Sequence, residues 1–191
     1  VLARNPSSRN NTSFAFLAFV LAIWAVAFSL YVNPVVLSSL VWIKVVYMLV
    51  ILMVGGMYYL AYAFPDGYHP PKLGLILYIL TNIPLALALI FTNLFVSDVV
   101  IKNNKAETLL GPVHIVASII WLVFSIIWIR ELVIKYQRSE KRPKLQLRYM
   151  ILGLGIYSII ATILDGMIPA IFHTTEYFAL SAASSLAFPS L

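Results

Sequence analysis

The sequence predicts an all-α, polytopic transmembrane helix bundle with five full spans and the start of a sixth. Of its 191 residues, 62% are hydrophobic and 10% charged, with a mean hydropathy of +0.94. That leaves too little polar surface to coat a soluble fold, so a bilayer is the main solvent. Apolar runs near the length that crosses a bilayer, about 20 residues, recur along the chain. Seven of the thirteen Lys and Arg residues fall between Arg130 and Arg148, squeezed between two nearly uncharged runs. Residues 1–191 read as one transmembrane domain, with 130–148 as its basic cytoplasmic loop.

Backbone amides without water must pair within their own segment, so each apolar run reads as a helix. The first is Phe14 to Val32, with no charged residue. The Ala25-Val26-Ala27 stretch offers a signal-peptide reading, but the run is too long for an h-region. The Asn33-Pro34 turn leads to the second, Val35 to Phe64, which carries Lys44. Asp66-Gly67 and Pro70-Pro71 precede the third, Leu73 to Val96, in which Asn82 and Pro84 form an expected mid-membrane kink. The fourth runs Leu109 to Ile129 and continues to Tyr136, and the fifth is Tyr149 to Ala170 with Asp165 near its end. A sixth begins near Tyr177. Gly55-Gly56 and the Gly153 and Gly155 pair read as packing positions. Tyr58, Tyr59, Tyr62 and Trp128 on one side, and Tyr31 and Trp42 on the other, read as aromatic belts.

Charge orients the spans. With the basic loop inside, ten Lys and Arg face the cytoplasm and only Lys102 and Lys105 face outward, which matches the positive-inside rule. Lys135, Arg138, Lys141, Arg142, Lys144 and Arg148 are the orientation signal and a contact for anionic lipid. The expected location is the cell inner membrane, multi-pass. The net charge of +6 sits mostly in this one loop, so it does not indicate nucleic-acid binding. Asn10-Asn11-Thr12 and Asn11-Thr12-Ser13 match a glycosylation acceptor but fall on the cytoplasmic side, as chance matches. Val1-Leu2-Ala3 before Arg4 reads as the inner end of a preceding helix, which would make seven spans in a longer parent.

A charge at membrane depth costs several kcal/mol, about 2.5–3.5 on insertion scales, unless paired or hydrated. Lys44 and Asp165 both fall roughly 7–13 Å below the outer boundary at about 1.5 Å per residue. His114, Thr92 and Asn93 lie at comparable depth. These five residues are the candidate ligand-binding set, for a small molecule, ion or proton. The competing reading is a structural Lys44–Asp165 ion pair, or a Lys44 that snorkels to the head groups. His69, His114 and His173 lack metal-ligand spacing and there is no cysteine, so neither a metal nor a cofactor is expected. No catalytic constellation is present, so the segment is not read as an enzyme.

Several stretches carry a family resemblance. They are Arg4-Asn5-Pro6, Ser8-Arg9-Asn10 and Ser13-Phe14 before Trp24; Val41-Trp42-Ile43-Lys44 and Tyr47, ending at Ala63-Phe64-Pro65; and Gln146-Leu147-Arg148-Tyr149-Met150, Gly153 and Ile168-Pro169. In order along the chain, they resemble the N-terminal seven-transmembrane region of bacterial sensor histidine kinases. The resemblance implies a sensory input module of a two-component system, followed by cytoplasmic PAS, histidine-kinase or cyclase domains in the same chain. No phospho-acceptor His with an ATP-binding segment is found in these 191 residues. The partners expected are the bilayer, those downstream domains, a second copy of the chain and an unidentified small ligand. Competing classes are a small transporter or channel using Lys44, Asn82 and Asp165, and a membrane anchor or scaffold. The scarcity of polar residues in the inner half of most spans counts against a path.

Overall fold

The computed structural model describes residues 8–65, 67–102 and 105–172. Helix α1 (Arg9–Val32) is followed by α2 (Ser39–Ala63) and α3 (Lys72–Phe91). A hairpin of β1 (Val96–Lys102) and β2 (Lys105–Leu110) leads into α4 (Pro112–Arg138). A last helical rod comprises α5 (Lys141–Met150), a π-helical segment Ile151–Gly155, α6 (Ile156–Ala161), a second π segment Thr162–Met167, and α7 (Ile168–Phe172). Its junction residues Ile151, Gly155, Ala161 and Ile168 all keep right-handed helical dihedrals, so the rod is continuous. Five helical segments are long and apolar enough to cross a membrane. The chain is an all-α helical bundle of a multi-pass membrane protein.

Helix α2 is the axis. It packs against α1, α3, α4 and the hairpin, and α4 packs against the rod. The outward faces carry Phe19, Leu80, Ile119 and Ile156, apolar side chains that meet lipid. Lipid tails are as apolar as these residues, so close packing and interhelical hydrogen bonds hold the spans together, not water exclusion. Glycine at position 55 serves that end directly. A Cβ there would lie 2.9 Å from the Tyr78 ring, whose hydroxyl donates to the Ile51 carbonyl. Gly155 is different: a Cβ there would find its nearest neighbour, Ile129, at 3.9 Å, an ordinary contact.

Several boundaries depart from the sequence reading. Val35 and Val36 lie outside α2, 79% and 82% exposed, so the second span starts at Ser39. The third ends at Phe91 because Thr92 turns extended (φ −132°, ψ 169°). The tail of that run, Thr92 to Val96, instead leads into an antiparallel hairpin, Val99 opposite Thr108 and Ile101 opposite Ala106, in the connection that the sequence reading left between spans. Its β-branched Val96, Val99, Val100 and Ile101 suit a strand. A lone hairpin is marginal. This one is held by the Tyr31 hydroxyl, which bonds Thr108 Oγ1 at 2.9 Å and the Ala106 carbonyl at 3.0 Å, and by buried Phe95 and Val96. At its base, Gly111 and Val113 amides donate to the Phe95 and Leu94 carbonyls, an approach too close for any side chain at position 111.

The basic stretch 130–148 is a helical corner in which only Ser139 and Glu140 lie outside helices. The start of α1, the end of α2, the start of α3, the end of α4 and the start of α5 all meet here, at what we term the basic end. Arg9 donates to the Gly67 carbonyl at 3.0 Å and Asn10 to that of Pro65 at 2.6 Å. Lys135 Nζ donates to the carbonyls of Ala61, Tyr62 and Phe64 at 2.9, 2.6 and 2.7 Å. An ammonium thereby closes the carbonyl end of α2, where the helix dipole favours a cation.

The aromatic residues also require correction. Tyr31, Tyr58 and Trp128 are at most 2% exposed and belong to the core, with Tyr58 edge-on to Phe124 at 5.7 Å. Proximity to a span end in sequence does not specify which way a ring faces. The partial sixth span and the candidate upstream helix lie outside the described residues.

Candidate functional site

A stripe of polar and aromatic residues on α4 faces α2 and the rod. His114, Ser118, Trp121, Ser125 and Trp128 are spaced four, three, four and three residues apart, the repeat that keeps side chains on one helix face. All are buried. Across from them the rod presents Tyr157, Ser158, Thr162, Asp165 and Gly166, again at helical spacing.

Between these stripes, α1 and α2, lies a cavity of about 70 Å³. Its polar wall is Ser118, Ser125, Ser158, Thr162 and Asp165, and its aromatic wall is Trp24, Tyr47, Trp121 and Tyr157. Trp24 is 4% exposed, and its indole N–H has no hydrogen-bond partner among the described residues. The volume holds a few water molecules or one small ligand. Ser125 and Ser158 join across the helices at 3.1 Å. Gly166 lets the rod pack closely on α4, since a Cβ there would lie 3.1 Å from Ser118 Oγ.

The second π segment, Thr162–Met167, carries Asp165 and Gly166. A π turn spans one residue more than an α turn, and such segments cluster at functional sites. Here the irregular turn contributes Thr162, Asp165 and Gly166 to the cavity wall.

At the hairpin end the cavity is roofed by aromatic packing. Phe95 is fully buried, with its ring 5.0 Å from Tyr47, 5.7 Å from His114 and 6.0 Å from Trp121. Tyr47 OH and His114 Nε2 are 3.3 Å apart, and His114 lies against the Asp165 backbone. Towards the basic end, the same face of α4 continues as Trp128 and Leu132, both 1% exposed.

The five residues singled out from sequence divide into two groups. Lys44 Nζ donates to the Thr92 carbonyl at 3.2 Å, so α2 is fastened to the end of α3. Asn93 is exposed beside them. Asp165 lines the cavity, and His114 joins it through Tyr47. The alternative Lys44–Asp165 ion pair is not formed; Lys44 is held by the α3 terminus instead. Asn82 does reach across helices, with its Oδ1 accepting from Trp121 Nε1 at 3.1 Å, and α3 continues as a helix through Pro84. Arg138, Arg142, Lys144 and Arg148 lie with Lys135 on the helices of the basic corner, Lys144 being 5.2 Å from the Tyr136 ring centroid. Among the described residues no three His, Asp or Glu side chains gather as a metal site, and His69 pairs with Tyr59 at 3.3 Å. Tyr47, Ser118, Ser125, Ser158 and Thr162 escaped the sequence reading. For Ser118 and Ser125 the signal was the polar repeat on α4, which single-residue depth arguments overlook.

No protein-family model, curated protein or solved structure matches the chain. The fold therefore defines the class, a polytopic helical membrane protein with a small, largely apolar cavity that has hydroxyls and the Asp165 carboxyl on one wall.

Proposed function

We propose that the chain is the membrane-embedded input module of a sensor. In this reading the hairpin faces outward, the basic end lies in the cytoplasm of the inner membrane, and the output is a cytoplasmic domain of the same polypeptide such as a histidine kinase. The observation that carries the reading is the coincidence of the cavity wall with the π turn at Asp165 and Thr162. A ligand bonded to that wall favours one pairing of the turn over another. Converting a π turn to an α turn rotates the rest of the rod by roughly 100°, the increment of one helical residue. A ligand with different affinity for the two pairings shifts their populations, which is the minimum a receptor needs. The resemblance to sensor-kinase input regions supports the same reading. A transport path is disfavoured because the polar wall stops at Ser125 and Ser158, ahead of Trp128 and Leu132.

The test is a thermal-shift screen of small polar molecules on the bundle in nanodiscs, run on wild type, Asp165→Asn and Ser118→Ala. Compounds that stabilise wild type should lose most of their effect in both variants. Retention of every hit in both variants would remove the cavity from the mechanism. Since the chain has no cysteine, a single cysteine at Lys102 or Arg142 can be labelled with an impermeant maleimide in intact cells. Labelling at position 142 and not at 102 would overturn the orientation.

A further inference from the structure

A second concavity lies on the lipid side of the bundle at the basic end, where α1 and α3 flank α2. This cleft is about 570 Å³ and is lined mainly by apolar side chains, including Phe16, Leu52, Leu75 and Ile79. Its floor is the α2 backbone at Gly55 and Gly56. From the level of Arg9 to that of Phe16 the cleft descends about 10 Å at 1.5 Å per residue. That covers most of one leaflet of hydrocarbon, which is about 15 Å deep.

The mouth is chemically different from the floor. Arg9 is exposed there, and one guanidinium nitrogen is fixed by its 3.0 Å bond to the Gly67 carbonyl. Arg9 lines the cleft, and a guanidinium fork has the planar geometry that pairs with phosphate oxygens. Ser13 and Thr12 at the same level spend their hydroxyl protons on the carbonyls of Arg9 and Ser8, so they offer only acceptors. Lys72 opens α3 at the same end, and no residue lining the cleft is acidic.

We propose that this cleft seats one acyl chain of an anionic glycerophospholipid, with the phosphate held by Arg9. The tail gains little from leaving bulk lipid, because the cleft is no more apolar than the bilayer. Selection therefore falls to the head group and should follow its charge. One basic residue at a membrane surface enriches an anionic lipid about fivefold. The site is separate from the Asp165 cavity and stands whether or not that cavity binds a ligand.

The experiment is native mass spectrometry of the chain released from nanodiscs of equal phosphatidylglycerol and phosphatidylcholine, with tandem identification of retained lipids. Wild type should keep one phosphatidylglycerol about fivefold over phosphatidylcholine. Arg9→Gln should retain lipid without head-group preference, and Arg9→Lys should restore the preference. Ile79→Trp, placed at a half-exposed wall position, should fill the cleft and abolish retention of either lipid. Retained lipid that mirrors the bulk mixture in wild type would overturn the proposal. So would undiminished retention in Ile79→Trp, or a mass showing that a second copy of the chain occupies the face instead.

Discussion

Replacing Lys135 with Met tests the clamp that joins α4 to the end of α2. The substitution keeps most of the aliphatic stem and removes the ammonium, leaving the carbonyls of Ala61, Tyr62 and Phe64 without the donor they share. A hydrogen bond from a charged donor contributes about 1.5–3 kcal/mol, and three that share one ammonium are not additive. A cation at a helix C-terminus adds about 0.3–1 kcal/mol. The cation–π contact, 5.9 Å from the Tyr68 ring centroid, is worth about 0.5 kcal/mol where exposed. Head-group water recovers some of the loss at the freed carbonyls. The expected destabilisation is about 3 kcal/mol. Lys144→Met is the control, because this ammonium only lies over Tyr136, and it should cost about 0.5 kcal/mol. Steric trapping in bicelles reads both on one scale. If Lys135→Met is no worse than Lys144→Met, the three short contacts carry no stability and the reasoning fails.

Three further outcomes are expected. Asn82→Leu removes the acceptor of the Trp121 indole N–H and should destabilise by about 0.6–1.7 kcal/mol, with a Trp121→Phe background abolishing most of that loss; an additive double mutant would show that the bond is not the cause. Tyr31→Phe deletes both bonds of the Tyr31 hydroxyl to the hairpin, so β1 and β2 amides should exchange about fivefold faster while helix protection is unchanged, since losing roughly 1 kcal/mol opens the hairpin locally; equal protection in the two proteins contradicts this role. Gly55→Leu forces side-chain atoms into the Tyr78 ring and should cost about 1–3 kcal/mol by overpacking, whereas Gly155→Ala, whose Cβ would make only ordinary contacts with Ile129 and Ile151, should be nearly neutral by the same assay.

The spans were legible because their signal is local: a run of apolar residues specifies a helix whatever its neighbours do. The hairpin was not. Val96 to Ile101 is a short strand-like run whose Ser97 and Asp98 read as loop, and the polar Lys102-Asn103-Asn104-Lys105 stretch, a turn signal, was absorbed into that loop. Pro112 at the first turn of α4 is the conventional start mark, and it competed with an equally greasy Leu109-Leu110. Among the candidate residues, depth arithmetic put Lys44, Thr92 and Asp165 at one level, and of these Lys44 bonds the Thr92 carbonyl. It could not separate them from Asp165, because depth says nothing about angle around a helix. Angle was encoded in the repeat from His114 to Trp128, where serines alternate with indoles. The Lys135 clamp had no sequence signature at all: its partners are 71 to 74 residues away and are backbone atoms.

That separation has a consequence for biogenesis. During synthesis α2 enters the bilayer well before Lys135 is made, so its final carbonyls wait against head-group water. They are secured only when α4 delivers its ammonium to the same side of the membrane. A chain with α4 threaded backwards leaves the pair on opposite faces, some 30 Å apart across the hydrocarbon, and forgoes the stabilisation. The clamp thus favours the threading in which the end of α2 and the end of α4 share one side of the membrane.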